Sequence, residues 1–275
     1  MPTILNESSS LRDVLKHADS KDLSILVDVI TDKGEGRVSL ASDVCKKLFD
    51  AKNQAPKTLS MMYDVMATEI ELFGGNSIAN LFRGGKGVDY REILIDVAKH
   101  IKINFSEAAP SADIEIQILL KILEKSMDQM TAQERENLIS ELSGGSIVGG
   151  GVAAMAGLQA AIRAGGFASY RVSLIVANTI ARQFTGKGLQ LAANAGIARG
   201  IGAFAGPVGW AITAIWTAYD LAAPAYRVTV PSVVLVAYMR QKALSESVPT
   251  CPKCKTPIPG NPKFCAECGT PLGAK

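Results

Sequence analysis

A chain of 275 residues is long enough to bury one sizeable core and still carry a smaller module, which predicts one main helical body or two packed halves. Its N-terminus, MPTILNESSSLRDVL, lacks the basic start and apolar run of a secretory signal, so we expect a cytoplasmic protein. The net charge is only +3, but it is unevenly distributed. Residues 1–143 carry −6, residues 144–249 carry +6, and residues 250–275 carry +3.

This distribution predicts three parts. Residues 1–143 would form an acidic helical domain, residues 144–246 an Ala/Gly-rich, basic and apolar helical domain, and residues 250–275 a small terminal module. An acidic and a basic half favour contact with each other, or contact of the second half with an anionic surface.

The acidic half has helical periodicity and no strand signal. Apolar residues recur at three- and four-residue steps from Leu11 to Ile30, with a break at Asp19–Ser20 where an N-cap would begin a second helix. The stretch DKGEGR at 32–37 predicts a loop. Further helices are predicted at 39–52, 57–73, 76–83 and Tyr90–Ile103, and over Asp113–Leu142 with a join near Thr131.

The second half is rich in small residues, because 15 of the 25 glycines lie between 144 and 209. Such residues let helices approach closely, either in a membrane hairpin or in a soluble Ala-rich core. The run IGAFAGPVGWAITAIWTAY at 201–219 has no charge and nearly the length of a membrane span, but Pro207 and three glycines interrupt it. These features favour a membrane-associated hairpin over a lone permanent span.

A helical projection of residues 147–183 places Arg163, Arg171 and Arg182 on one stripe, together with Gln159 and Asn178. Such a stripe suits a helix at a membrane interface or a helix that faces the acidic half. The segment 226–243 is predicted to be a helix with Pro231 at its first position and basic residues in its last turn.

The C-terminal stretch CPKCKTPIPGNPKFCAECG contains two CxxC pairs ten residues apart, Cys251 with Cys254 and Cys265 with Cys268. Each pair can form a tight turn that presents two thiolates to one ion, and four thiolates predict a closed tetrahedral Zn²⁺ site of structural type. Iron in a rubredoxin-like site is the alternative metal, and disulfides are disfavoured in a reducing compartment. Three nearby lysines are too few to predict a specific nucleic-acid partner.

The remaining residues with chemical potential favour structural roles. Cys45, His17 and His100 lie apart in helical stretches, without the spacing of a metal site. No nucleophile elbow is present, and three glycine-rich stretches lack the context of phosphate-binding loops. The sequence therefore predicts a protein that is not an enzyme.

Four stretches resemble the bacterial YaaW family: LKHADSKDLSILVDVITDKGEGRVSL (15–40), FGGNSIANLFRGGKGVDYREILIDVAKHIKI (73–103), GPVGWAI (206–212) and AYRVTVPSVV (225–234). The resemblance covers roughly residues 11–242. The C-terminal module at 250–275, which is predicted to be a zinc ribbon, therefore looks like an addition. The family is grouped at a distance with ubiquinol–cytochrome c chaperones, which implies a helical fold and an assembly role. Within the matched segment, Arg83, Tyr90, Arg91 and Asp96 are predicted to form a polar network.

Two functions are open at this stage. The first is a non-enzymatic helical protein with a membrane-associating or conditionally inserting hairpin, whose partner would be a membrane surface or another apolar hairpin. The second is a soluble, chaperone-like assembly factor or protein-binding module in which the apolar half is buried and the partner is a protein. The overall expectation is an all-α multi-helix body with a small zinc ribbon.

Overall fold

The protein is all-α, as predicted. The computed structural model describes residues 5–35, 42–74, 87–164, 167–186, 189, 206–210, 226–246, 251–254, 263–265 and 268–272. Within these ranges no β-strand occurs. Phe264 and Pro271 form an isolated antiparallel β-bridge.

The acidic half begins with five helices, which are α1 Leu11–His17, α2 Ser20–Thr31, α3 Ser42–Asn53, α4 Pro56–Ser60 and α5 Tyr63–Gly74. The predicted break at Asp19–Ser20 is confirmed, because Asp19 is the N-cap residue of α2. The single helix predicted over 57–73 is wrong. It is divided at Met61, whose backbone N–H bonds back to Lys57 and Thr58 and ends α4.

Three further helices of this half lie within the described residues: α6 Tyr90–His100, α7 Ser111–Met127 and α8 Ala132–Ser143. The join predicted near Thr131 is confirmed. Thr131 and Glu134 form a reciprocal capping box, which satisfies backbone N–H groups at the start of α8. Gly144, with φ of +66°, ends α8 in the left-handed conformation that glycine adopts without strain. The helix predicted at 76–83 lies outside the described residues.

The second half contributes α9 Val152–Arg163, α10 Phe167–Thr185 and α11 Tyr226–Glu246. The helix predicted at 226–243 is therefore present, but the predicted position of Pro231 is wrong. Pro231 is the sixth residue of α11 and lies inside it, where it cannot donate a backbone hydrogen bond. The helix continues through Pro231 because tertiary packing surrounds this turn, and every residue from Val228 to Gln241 is buried.

Helix α11 is the central element of the fold. It contacts α1, α2, α5, α6 and α7 of the acidic half and packs most extensively against α10. One continuous hydrophobic core therefore includes side chains from both sides of residue 143, with members such as Leu26, Leu119, Ile175 and Val234. An α-helix that is apolar on all sides needs such a surrounding shell of protein. Separate folding of residues 1–143 and 144–246 stays a prediction.

Most of the apolar run 201–219 lies outside the described residues, so the predicted hairpin cannot be placed. Its described part, Gly206–Trp210, buries Val208 in the common core and leaves Trp210 48% exposed. Among the helices of the described ranges, none combines the length and the apolar character that crossing a bilayer requires.

Candidate metal centre

The second cysteine pair lies in a short hairpin. The backbone N–H of Cys265 donates to the carbonyl of Thr270, and that of Gly269 donates to the carbonyl of Cys265, each at 2.9 Å. Leu272 donates to Lys263 at the same distance, which closes the hairpin. Gly269 has a φ of +66°, a conformation that glycine adopts without a steric penalty. This turn directs the thiols of Cys265 and Cys268 to one side.

The two cysteine pairs come together around one point. The Sγ atoms of Cys251 and Cys268 are 3.6 Å apart, and those of Cys254 and Cys265 are 3.5 Å apart. All four Sγ atoms lie within 4.8 Å of one another. A tetrahedral metal with metal–sulfur bonds of about 2.3 Å holds its ligands about 3.8 Å apart, so the four thiols fit one ion. The structure thus brings together all four residues that the sequence predicted.

The centre is partly enclosed. Cys251 is fully buried and Cys265 is 4% exposed, and with Leu272 and Cys268 they form a hydrophobic cluster separate from the main core. Cys254 lies at the surface. The hydroxyl of Thr270 is 3.0 Å from the Sγ atom of Cys268, and this hydrogen bond lowers the pKa of the Cys268 thiol below its ordinary value. A lower thiol pKa favours the thiolate, which is the form that binds metal.

Four thiolates fill a tetrahedral coordination sphere and leave no position for water or substrate. The arrangement can therefore hold a metal ion and fix the chain around it, but it does not match a catalytic zinc site. Among the described His, Cys, Asp and Glu side chains, the group close enough together to hold a metal ion is formed by these four cysteines.

The other cysteine and the two histidines lie elsewhere. Cys45 is buried in the main core, with its Sγ atom 3.9 Å from the carbonyl oxygen of Gly34, and burial raises the pKa of its thiol. The Nδ1 atom of His17 is 2.8 Å from the carbonyl oxygen of Asp13. His100 stacks on Tyr226 with ring centroids 3.8 Å apart. The structural roles of all three residues stay a prediction.

A buried ionic network, which was not predicted from the sequence, joins α11 to α7 and to the segment before α1. Arg240 on α11 and Glu115 on α7 are both fully buried, and the guanidinium donates to both carboxylate oxygens, at 2.8 and 3.1 Å. Arg240 also donates to the carbonyl of Ser9 at 2.7 Å, and the hydroxyl of Tyr90 donates to Glu115 at 3.0 Å. Burial alone would lower the pKa of Arg240, but Glu115 raises it overall, so the guanidinium stays charged.

The polar network predicted among Arg83, Tyr90, Arg91 and Asp96 is different in the structure. Tyr90 faces the buried Glu115, whereas Arg91 donates to the carbonyls of Glu107 and Ala109 in the loop after α6. Arg83 lies outside the described residues. Tyr90 and Arg91 diverge because adjacent residues on a helix point in directions about 100° apart.

The predicted basic stripe is also wrong as a single surface, because α9 ends at Arg163 and α10 begins at Phe167. Arg171 faces the acidic half, with its guanidinium 3.6 Å from a carboxylate oxygen of Glu141. Gln159 likewise donates to Glu124 at 2.9 Å. Two members of the predicted stripe, Gln159 and Arg171, thus contact the acidic half, which was the alternative to a membrane interface.

The comparisons with known proteins agree with the fold. Residues 58–237 match the family model described as ubiquinol–cytochrome C chaperone. A UPF0174 protein of Helicobacter pylori strain J99 is 40% identical over 178 residues, which are 64% of this chain and 70% of that protein. The UPF0174 protein YaaW of Escherichia coli K12 is 26% identical over 245 residues, which are 89% of this chain and 98% of YaaW.

No solved structure matches the chain. The family match begins in α4 and ends inside α11, so it covers most of the helical body and excludes the four cysteines. The chain therefore belongs to the UPF0174 family that includes YaaW, within the wider ubiquinol–cytochrome C chaperone group, and it carries a cysteine cluster beyond the matched region.

Proposed function

We propose that the protein is a non-enzymatic, chaperone-like assembly factor of the cytoplasm that binds another protein. The observation that carries this proposal is the match of residues 58–237 to a family described as a chaperone. It favours the assembly hypothesis over the membrane hairpin because the description of the family names a chaperone.

The packing of the second half supports the same choice. Helices α9 and α10 direct Gln159 and Arg171 to carboxylates of the acidic half, and α10 packs along the buried α11. A half that is engaged in this way contributes to one protein core, whereas a membrane hairpin must release its apolar faces to lipid. No observation on the described residues supports the hairpin.

A deletion in the source organism tests the assembly function. Native gels and quantitative mass spectrometry would compare protein complexes in cells with and without the gene. We expect at least one multi-subunit complex to lose subunits on deletion and to regain them when the wild-type chain is restored. Complexes that are identical in both strains would contradict an assembly role.

The metal at the cysteine cluster is proposed to be Zn²⁺, and its role is proposed to be structural. Cys251, Cys254, Cys265 and Cys268 provide four soft ligands at tetrahedral spacing, and Zn²⁺ favours this set. Two short pieces of chain with one small hydrophobic cluster bury too little apolar surface to fold without a cross-link. A bound ion would supply that cross-link.

Metal analysis of the purified full-length protein separates zinc from iron. We expect one zinc per chain and no visible absorption, whereas iron held by four thiolates would colour the protein. The Cys265→Ser variant should lose the metal, and Cys45→Ser is the matched control that should retain it. A full-length protein without metal, or a Cys265→Ser variant with unchanged zinc, would contradict the proposal.

A further inference from the structure

A cleft lies where the two halves of the protein meet. One face of α7 contributes four side chains at helical steps of three and four residues, which are Gln117, Leu120, Lys121 and Glu124. The loop after α6 and Arg163, the last residue of α9, complete the walls around a volume of about 190 Å³. None of the four clustered cysteines lines this cleft, so it is separate from the candidate metal centre.

The walls of the cleft combine apolar and polar side chains. Leu120 is 3% exposed and Ile103 is half-buried, and both line the cleft. Asn104, Gln117 and Arg163 line it as well, and none of these three side chains forms a hydrogen bond or an ion pair with another residue in the described part of the chain. An apolar surface with a few convergent, available polar groups is the general form of a small-ligand site.

The charges around the cleft leave one cation in excess. Two cations, Lys121 and Arg163, and one carboxylate, Glu124, line it. Both oxygens of that carboxylate already face a neighbour. One accepts from Gln159 at 2.9 Å, and the other lies 3.8 Å from the Nζ atom of Lys121. The guanidinium of Arg163 is therefore available to an anion, which would gain charge-assisted hydrogen bonds there.

A single excess positive charge favours a monocarboxylate over a phosphate dianion. The carboxylate of Glu124 and the carbonyl end of α9 both disfavour a second negative charge in the cleft. A planar carboxylate matches the guanidinium fork of Arg163, and the amides of Asn104 and Gln117 can donate to it. Since an apolar cavity of about 150 Å³ holds benzene, the cleft has room for one ring or branched chain beside the carboxylate.

We propose that the cleft between α7 and α9 binds a monocarboxylate with a small apolar body, and that Arg163 is the main anchor of the carboxylate. Free organic acids have this chemistry, and so does the C-terminal residue of a protein chain. The inference goes beyond the assembly function proposed above and does not rest on it, because ligand binding by the purified protein and complex assembly in cells are measured separately.

Titration of the full-length protein with benzoate, followed in amide NMR spectra, tests the site. We expect saturable shifts of the signals from the cleft residues, with a dissociation constant of about 1 mM or below, which is within reach of a ligand of this size. Benzamide has nearly the same shape without the negative charge. It should bind about tenfold more weakly, since a hydrogen bond to a charged group contributes at least that factor.

Variants of the cleft identify the anchor. Arg163→Met removes the charge and keeps an apolar stem, and it should raise the dissociation constant for benzoate by about tenfold. Gln117→Glu adds a second carboxylate to the cleft and should also weaken the binding of benzoate. Arg135→Met, the same substitution at a half-buried position of α8 outside the cleft, is the matched control and should leave binding unchanged. Circular dichroism of each variant confirms that the helices are retained.

Titration with N-acetyl-leucine distinguishes the two sources of the carboxylate. Tighter binding of N-acetyl-leucine than of benzoate would assign the cleft to the C-terminal residue of a protein chain, and the reverse order would assign it to a free organic acid. The proposal is overturned if neither compound gives saturable shifts, or if benzamide binds as tightly as benzoate. It is also overturned if Arg163→Met binds benzoate like the wild type, or no more weakly than Arg135→Met does.

Discussion

The helical body and the C-terminal ribbon are held together by different physical means. In the described part of the body, α11 packs against six other helices, and its buried residue Arg240 is paired inside the core with Glu115. In the ribbon, the described interior consists of cysteines and Leu272. Burial of apolar side chains can stabilise the folded body, whereas the ribbon requires a bound ion to stay folded. The size of the available core therefore decides whether a region folds by itself or with a metal.

Removal of the metal should have the largest effect and should be confined to the ribbon. Apparent binding energies of structural Zn²⁺ are about 10 to 16 kcal/mol in small zinc modules, so a strong chelator should unfold residues 251–272. Nuclear magnetic resonance of the full-length protein would follow the ribbon, and circular dichroism would follow the helices. Loss of helical signal on chelation would contradict the difference between the two regions.

Deletion of residues 250–275 tests whether the helical body folds without the ribbon. The ribbon cysteines form a hydrophobic cluster separate from the main core, so the shortened chain should keep the helical content and cooperative unfolding of the full chain. Chemical denaturation measures both. A broad transition without cooperativity would show that the ribbon supports the body.

Removal of one partner from the buried ion pair should have the next largest effect. Arg240→Ala leaves Glu115 in the core without its cationic partner, and we expect a loss of about 3 to 5 kcal/mol in the free energy of unfolding. The control is the double variant Arg240→Met with Glu115→Leu, which removes both charges and should recover much of that loss. A single variant that costs less than about 1 kcal/mol would place the pair in the range of a surface salt bridge.

A smaller effect is expected at the start of α8. Thr131→Ala removes the hydroxyl that accepts from the backbone of Glu134 and should cost about 1 kcal/mol. Ser140→Ala removes an exposed hydroxyl later in the same helix without touching the cap and is the matched control. Equal unfolding midpoints for Thr131→Ala and the wild type would show that the cap contributes nothing to the body.

The smallest effect concerns pH. Burial lowers the pKa of His100, so the folded body favours the neutral imidazole, while the unfolded chain titrates near about 6.5. The unfolded state therefore binds more protons below about 6.5, and the free energy of unfolding should fall as the pH drops through that value towards the lower folded pKa. Above that window His100 contributes no slope. His100→Gln should remove this slope, with helical circular dichroism as the readout because acid also releases the metal.

The candidate metal site could be predicted in full from local sequence. Two CxxC pairs constrain their thiols through short turns, so that spacing alone indicates four convergent ligands. The helices of the acidic half could be predicted for the same reason, since periodicity and caps such as Thr131 act within a few residues. The division of 57–73 at Met61 was missed because α4 packs against α2 and α3, and such contacts are not visible in the local pattern.

Tertiary structure decided the residues whose partners are distant in sequence. Arg240 and Glu115 lie 125 positions apart, and nothing near either residue indicates the pairing. Arg171 was predicted to share a stripe with Arg163 because a helical projection assumes one unbroken helix, but the helices separate after Ala164. Pro231 was expected to begin a helix, yet the packing around α11 outweighs the hydrogen bond that proline cannot make. The sequence by itself determined most of the described helices, their caps and the four clustered cysteines, whereas only the assembled core determined which helix is central and which charges are buried, because burial is set by all the elements together.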